Sequence, residues 1–71
     1  MKRTKEEARR TKEAILKCAV QAFIEKGFEK TSLAYIAEKA GLTKGAIFWH
    51  FKDKSTILDE IIELYDKEAI D

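Results

Sequence analysis

The fold is decided by the stretch TSLAYIAEKAGLTKGAIFWHF, residues 31–51. It contains two short amphipathic runs, each preceded by a hydroxyl residue and separated from the other by Gly41. Ser and Thr side chains accept hydrogen bonds from the free N–H groups that begin a helix, and glycine readily adopts the positive φ that ends one. The stretch therefore predicts a first helix capped by Thr31 or Ser32 and ending at Gly41, and a second helix capped by Thr43.

The connection between these two helices is short, because only residues Ala40 to Leu42 are available to turn the chain. Two short helices joined by a tight glycine-containing turn are typical of a helix-turn-helix. The small Ala37 lets the helices approach each other, and the branched Ile47 can pack the second helix onto a core. The spacing favours a DNA-binding helix-turn-helix, but an ordinary helical corner without a nucleic-acid role fits the same pattern.

Longer amphipathic segments flank this stretch, and the chain contains no proline and no β-type alternation. The first segment predicts a helix from about Lys5 to Lys26 that ends where Gly27 can take a left-handed conformation. Its apolar stripe consists of Ile15, Leu16, Ala19, Val20, Phe23 and Ile24. The last helix is expected to start after a cap at Asp53, with a stripe of Ile57, Leu58, Ile61, Ile62, Tyr65 and Ala69. The predicted fold is all-α: a three-helix bundle with a homeodomain-like helix-turn-helix and the start of a fourth, connecting helix.

Composition limits the classes of function. A chain of 71 residues forms one small domain, which leaves no room for an enzyme with a deep cleft. His50 has no partner at metal-ligand spacing, and the single Cys18 cannot form an internal disulfide. We therefore expect no enzyme activity, no cofactor and no metal site. The N-terminal residues lack the apolar core of a secretory signal, which predicts a cytoplasmic location.

The net charge of +1 hides a strong asymmetry along the chain. Residues 1–12 carry a charge of +4, residues 13–55 carry +2, and residues 56–71 carry −5. We expect the two ends to have different partners. The basic side chains near the N-terminus suit either an arm that reaches into a DNA minor groove or a solvated tail. They belong to Lys2, Arg3, Lys5, Arg9 and Arg10.

The helix predicted after Thr43 carries an unusual outer face. With Ile47 facing the core and each residue advancing the helix by about 100°, Trp49 lies almost opposite Ile47. The outer face holds Gly45, Ala46 and Trp49, flanked by Phe48 and His50. Small residues let a helix backbone approach base edges in a DNA major groove, and Lys44 can reach a guanine or a phosphate. A second interpretation is a helical protein-interaction module that holds a partner helix with Phe48 and Trp49.

Phosphate ligands are predicted on both sides of this helix. Thr31 and Ser32, with the free N–H groups of the first short helix, form one candidate anion site. Lys52 and Lys54, at the start of the last helix, form another. Together with the outer face, these residues outline a surface suited to duplex DNA.

Residues 15–62 resemble the N-terminal DNA-binding domain of the TetR family of bacterial transcriptional repressors. Within them LTKGAIFWHFKDKS, residues 42–55, is most similar to the AcrR-like branch, which controls multidrug efflux pumps. The resemblance covers about two thirds of the chain. It implies a homodimer whose N-terminal domains bind a palindromic operator and whose C-terminal domain binds a small-molecule inducer.

Carried over residue by residue, the resemblance implies three sets of DNA contacts. In the family, the helix that reads the bases is called the recognition helix, and here it corresponds to the helix predicted after Thr43. Phosphate contacts before this helix fall on Thr31 and Ser32. Base-reading positions fall on Thr43, Lys44, Gly45, Ala46, Phe48 and Trp49, and later phosphate contacts fall on His50 and Lys54. Phe48 departs from the family, in which most members have a tyrosine whose hydroxyl touches the DNA backbone.

The same resemblance implies a division of the chain into three parts. Residues 1–10 are expected to form the basic arm, and residues 11–52 the helix-turn-helix domain. Residues 53–71 are expected to form a connector to a C-terminal ligand-binding and dimerisation domain that is absent from this sequence. The apolar residues of this last segment exceed what three short helices can cover, which favours the same interpretation.

Overall fold

Helices make up most of the molecule. The computed structural model describes the backbone of residues 2–70 and the side chains of residues 5–66. The helices are α1 (Lys2–Lys26), α2 (Leu33–Lys39), α3 (Lys44–His50) and α4 (Lys54–Ile70). Residues 2–70 contain no strand, so the predicted all-α fold is confirmed.

Helix α1 begins earlier than the sequence predicted. The expected start was about Lys5, but the helix begins at Lys2 and so includes nearly all of the segment 1–10 that was predicted to be an arm. Lys, Arg, Glu and Ala dominate this segment and are strong helix formers, so the chain has no local reason to leave the helix there. The side chains of Lys2 and Arg3 lie outside the described residues.

All four helices contribute to one apolar core. Its buried members are Ile15, Leu16, Ala19, Ala22, Leu33, Ile36, Ala37, Ile47, Phe51, Ile57 and Ile61. The half-buried Cys18 packs against its edge. One expected core residue was wrong: Ile24 is 79% exposed, and Ala22 is buried instead. At about 100° per residue Ile24 lies on the side of α1 opposite Ile15, whereas Ala22 stays on the inner face.

Helix α4 buries only part of its apolar surface. Ile57 and Ile61 are buried in the core. Ile62, Leu64 and Tyr65 are each about half exposed, in line with the excess of apolar residues noted in the sequence. Ala69, which was expected on the same stripe, has its side chain outside the described residues.

The turn between α2 and α3 is a Schellman motif. The N–H of Leu42 donates to the carbonyl of Ala37 at 2.8 Å, and the N–H of Gly41 donates to that of Glu38 at 3.1 Å. These bonds satisfy carbonyls that the end of α2 would otherwise leave free. The motif requires the φ of +73° found at Gly41. The predicted helix-ending role of this glycine is thereby confirmed.

Gly41→Ala should lower the free energy of unfolding by about 1–2 kcal/mol, because a side chain disfavours the left-handed backbone. An added Cβ at Gly41 would meet no atom within 4 Å, so the loss is conformational and not steric. Urea unfolding measures the effect. Gly45→Ala is the control, since Gly45 lies in helix α3 and its Cβ would also meet open space. An unfolding free energy unchanged by Gly41→Ala would contradict this account of the turn.

Asp53 caps helix α4, as the sequence predicted. Its Oδ1 accepts hydrogen bonds from the N–H of Thr56 at 2.9 Å and from the hydroxyl of Thr56 at 2.8 Å. These two bonds, with a smaller contribution from the nearby charge of Lys52, lower the pKa of the Asp53 carboxyl group. The ionised form is the one that the folded state prefers.

Because folding lowers its pKa, Asp53 stabilises the fold fully above the carboxyl group's unfolded pKa of about 3.9, and this contribution is lost as pH falls through the folded pKa. Asp53→Asn retains a capping oxygen but does not ionise. The difference in unfolding free energy between the original chain and Asp53→Asn should therefore shrink below about pH 4. Denaturant unfolding across that range measures it, with Asp59→Asn as an exposed control. A difference that does not depend on pH would contradict the linkage.

Candidate nucleic-acid interface

Helix α3 presents one buried face and one open face. Ile47 is fully buried, whereas Trp49 is 79% exposed and Phe48 is 48% exposed. Thr43 caps the helix, because its Oγ1 accepts a hydrogen bond from the N–H of Ala46 at 3.1 Å. The cap that the sequence predicted is present, and the exposures agree with the predicted outer face.

The outer face of α3 carries small residues near the beginning of the helix and aromatic side chains at its end. Gly45 is exposed, and a Cβ built on it would meet no atom within 4 Å. The internal packing of the domain therefore gives no reason for glycine at this position. Trp49 lies edge-on to the half-buried His50, with ring centroids 5.4 Å apart. Ala46 is half-buried between the two faces.

An open groove lies beside this face, between the beginnings of α2 and α4. We call it the α2–α4 groove. It is lined by Glu29, Thr31, Ser32, Leu33, Ala34, Lys44, Phe48, Lys52, Asp53 and Lys54. The fold thus brings five of the ten predicted contact residues into one concave surface. Thr43, Gly45, Ala46, Trp49 and His50 do not line it and lie elsewhere on or beside α3.

The two hydroxyl residues before α2 have different roles. Ser32 is exposed, and its Oγ accepts a hydrogen bond from the N–H of Tyr35 at 3.1 Å, so Ser32 is the cap. Thr31 is only 2% exposed. Its hydroxyl lies 2.7 Å from the carbonyl of Gly27 and 3.2 Å from that of Ala22. The expected phosphate contact of Thr31 is corrected: its hydroxyl proton is directed to the main chain inside the domain.

Lys54 also has partners within the domain. Its Nζ donates hydrogen bonds to the carbonyl oxygens of Phe28 at 2.5 Å, Thr31 at 2.9 Å and Glu29 at 3.1 Å. It also lies 4.5 Å from the centre of the Phe28 ring. An ammonium group has three N–H donors, and three carbonyls occupy them here. In this conformation Lys54 has no donor left for a phosphate, unlike the expectation from sequence.

The comparison with known proteins agrees with the fold. The family model described as bacterial regulatory proteins, tetR family, matches residues 15–61. The chain belongs to the TetR family. The resemblance seen in the sequence is thereby confirmed, and this TetR-family chain is a helix-turn-helix domain of a transcriptional regulator and not an enzyme.

Three relatives illustrate the similarity. The HTH-type transcriptional regulator AcrR of Shigella flexneri is 51% identical over 63 residues, which are 89% of this chain and 29% of AcrR. TtgR of Pseudomonas putida, an HTH-type transcriptional regulator, is 46% identical over 73 aligned positions, covering 97% of this chain and 35% of TtgR. The HTH-type transcriptional repressor BepR of Brucella suis is 52% identical over 62 residues, 87% of this chain and 30% of BepR. The TetR-family chain spans about a third of the length of these relatives.

The lysines that line the α2–α4 groove of the TetR-family domain differ in whether their N–H donors are free to bind a ligand. The side chains of Lys44 and Lys52 are exposed, and neither ammonium group makes a hydrogen bond or an ion pair within the described residues. Glu29 and Asp53 line the same groove, and their negative charges partly offset the positive charges of the two lysines. The groove is therefore only weakly positive, and Lys44 and Lys52 are its two cations with open donors.

The basic N-terminal half of α1 faces α4 in part. Lys12 forms an ion pair with Glu60 at 3.2 Å and lies 5.7 Å from the centre of the Phe51 ring. Arg9 pairs with Glu6 in its own helix at 3.7 Å and lines a second groove with residues of α4. The sequence suggested separate partners for the two charged ends of the chain. Folding instead pairs some of their charges with each other.

Sequence reasoning assigned no contact role to four residues of the α2–α4 groove: Glu29, Leu33, Ala34 and Asp53. Ala34 follows Leu33 in the first turn of α2, so its exposed position was available from helical periodicity. Glu29 belongs to the α1–α2 connection, whose path no periodicity predicts. Among the described residues, no group of three metal-ligating side chains comes together. None of the described helices is long and apolar enough to span a bilayer.

Thr31→Val keeps the branched shape of the side chain but removes the hydroxyl. We expect a loss of about 1–3 kcal/mol of unfolding free energy, because a buried polar interaction is removed. Denaturant unfolding measures this loss, and Thr31→Ser, which keeps the hydroxyl, is the matched comparison. Any loss of duplex DNA affinity in Thr31→Val should accompany a loss of stability and should leave the slope of log K against log salt unchanged, because no phosphate contact is removed. A loss of DNA affinity without a loss of stability would return Thr31 to the phosphate-binding role.

Proposed function

We propose that this domain reads an operator through the outer face of α3, as part of a dimeric TetR-family repressor. The observation that carries the proposal is Gly45, which is exposed and has open space where a Cβ would lie. Glycine is unfavourable in a helix by about 1 kcal/mol relative to alanine, so its presence calls for a reason outside the domain. Close approach of α3 to base edges supplies that reason.

The roles of the neighbouring residues follow from their positions. Lys44, at the start of α3, can donate to guanine or to phosphate. Phe48 and Trp49 offer apolar contacts for thymine methyl groups. Ser32 and Lys52 face the groove in which a phosphate backbone can lie, and His50 lies at the end of α3 beside Trp49. Thr43 and Ala46 shape the beginning of the recognition helix.

The proposal includes a dimer because one domain alone offers little. A single module buries roughly 600–1,000 Å² on DNA, and non-specific binding has a Kd of about 10⁻⁴–10⁻⁶ M. A second, linked domain can raise avidity by roughly 10²–10⁴ when the half-site spacing fits the two-fold geometry. In the complete regulator, a C-terminal domain supplies the dimer contact and the inducer site. Similarity to the transcriptional repressor BepR supports repression. The resemblance of residues 42–55 to the AcrR-like branch is our reason for including control of multidrug efflux, and we place the regulator in the cytoplasm.

Two measurements test this function. Titration of the chain with random duplex DNA at several salt concentrations should show a steep loss of affinity with salt, because phosphate neutralisation releases counterions. A protein-interaction surface centred on Trp49 would bind little DNA at any salt concentration.

Fusion of the chain to a helical dimeriser after Asp71 should produce tight binding to a palindrome and little gain on a single half-site. Selection from a random DNA pool by this dimer returns the half-site and its spacing.

Gly45→Ala separates DNA recognition from folding. The folded state should gain up to about 1 kcal/mol of stability from the better helix former. Affinity for the selected DNA should nevertheless fall, because the added methyl group occupies the space between α3 and the bases. Denaturant unfolding and fluorescence anisotropy measure the two effects. A gain in stability with unchanged DNA affinity would show that α3 does not approach DNA closely at this point.

A further inference from the structure

We propose that Lys54 is a positioning residue that fixes the shape of the α2–α4 groove before DNA enters it, and that it is not itself a phosphate ligand. The inference rests on the proposed DNA-binding function, since the groove matters only if a phosphate backbone lies in it. It concerns one junction in the domain, where the α1–α2 connection meets the beginning of α4.

The contacts of Lys54 determine what it can do. Its Nζ lies within 2.5–3.1 Å of the carbonyl oxygens of Phe28, Glu29 and Thr31. These carbonyls belong to the connection between α1 and α2, outside any helix. The ring of Phe28 lies 4.5 Å from the same ammonium group and 5.2 Å from the ring of Phe23 on α1. Three main-chain carbonyl acceptors and the ring of Phe28 thus hold the Lys54 side chain in place.

Its location in α4 points to the same role. Lys54 is the first residue of α4, where the helix dipole disfavours a positive charge. The three carbonyl dipoles offset that cost because they direct their negative ends at the ammonium group. Lys52, two residues earlier, has no such partners among the described residues and stays exposed. The two lysines therefore differ in function although they lie close together in sequence.

The contacts of Lys54 reach the groove through Thr31. The carbonyl of Thr31 accepts a hydrogen bond from Lys54, while its hydroxyl contacts the carbonyls of Ala22 and Gly27. The next residue, Ser32, caps α2 and lines the groove. One residue is thereby tied to α1 on one side and to α4 on the other. This double attachment sets where Ser32 lies relative to α3.

Lys54→Met and Lys52→Met form a matched pair, because each removes one positive charge and keeps an unbranched side chain. When residue 54 has no ammonium group, the α1–α2 connection is held less firmly and must be ordered again as DNA binds. Ordering the backbone of one residue corresponds to about a 5- to 30-fold loss of affinity, which we expect for Lys54→Met. The slope of log K against log salt should stay as in the original chain. Lys52→Met should instead reduce the magnitude of that slope by about 0.9, the value for one phosphate contact.

Amide hydrogen exchange of the free protein gives a second reading that needs no DNA. Lys54→Met should increase exchange at the N–H groups of Thr31 and Tyr35, compared with residues 15–22 of α1 as the internal reference. Lys52→Met should leave both regions unchanged. If Lys54→Met does not fold, Lys54→Arg, which keeps the charge and N–H donors, takes its place. The planar guanidinium group fits three converging carbonyls poorly, so the same increase in exchange is expected with the salt slope retained.

The outcomes separate this inference from the proposed function. A reduction of the salt slope by Lys54→Met equal to that of Lys52→Met would overturn the inference, because it would make Lys54 a phosphate ligand. Unchanged exchange in the α1–α2 connection would also overturn it. If the original chain shows no salt-dependent binding to duplex DNA, the proposed function fails, and the role of Lys54 in DNA binding fails with it.

Discussion

The short length of α2 and α3 is the constraint on which the rest of the structure depends. Each helix contains seven residues, well below the roughly 12–15 at which an isolated helix is even marginally stable in water. Burial of Ile36 and Ile47 in the core shared with α1 and α4 therefore has to supply the stability that local propensity lacks. The surface proposed to meet DNA exists only because the opposite faces of the same two helices lie in the core.

The α1–α2 connection is the second place where the fold and the interface meet. Buried hydrogen bonds from Thr31 and carbonyl contacts from Lys54 hold it from two sides. In the first turn of α2, the centre of the Tyr35 ring lies 4.2 Å from the ammonium group of Lys26, and the Tyr35 hydroxyl donates a hydrogen bond to Glu25 at 3.3 Å. Exposed contacts of this second kind contribute little stability. The buried and partly buried contacts of Thr31 and Lys54 carry the greater part of the attachment, and both residues line the groove.

Charge in this domain serves the fold as well as the interface. Lys12 of α1 and Lys54 of α4 both have partners within the domain. Lys44 and Lys52 are the exposed groove cations, and Glu29 and Asp53 oppose them. A single domain with so small an excess of positive charge is suited to weak binding. The dimer that we propose would compensate for this weakness by placing two such domains on one duplex.

Much of this protein was determined by the sequence alone, because its signals are local. Gly41 and the caps Thr43 and Asp53 end or begin helices through bonds to neighbours within a few residues, and each was predictable. The opposition of Ile47 and Trp49 follows from helical periodicity. The family, and with it the helix-turn-helix, was likewise recognisable from residues 15–62. These features need no knowledge of how the helices pack.

Tertiary structure decided the roles of residues whose partners are distant along the chain. Thr31 and Ser32 are equivalent capping candidates in sequence, and only packing against Ala22 of α1 buries one of them. Lys54 and Lys52 look like one pair of phosphate ligands, but a contact across 26 residues to the carbonyl of Phe28 separates them. Hydrogen-bond donors are satisfied by whatever acceptor the fold brings near. Which of the predicted polar residues stay open to DNA is therefore a property of the assembled helices.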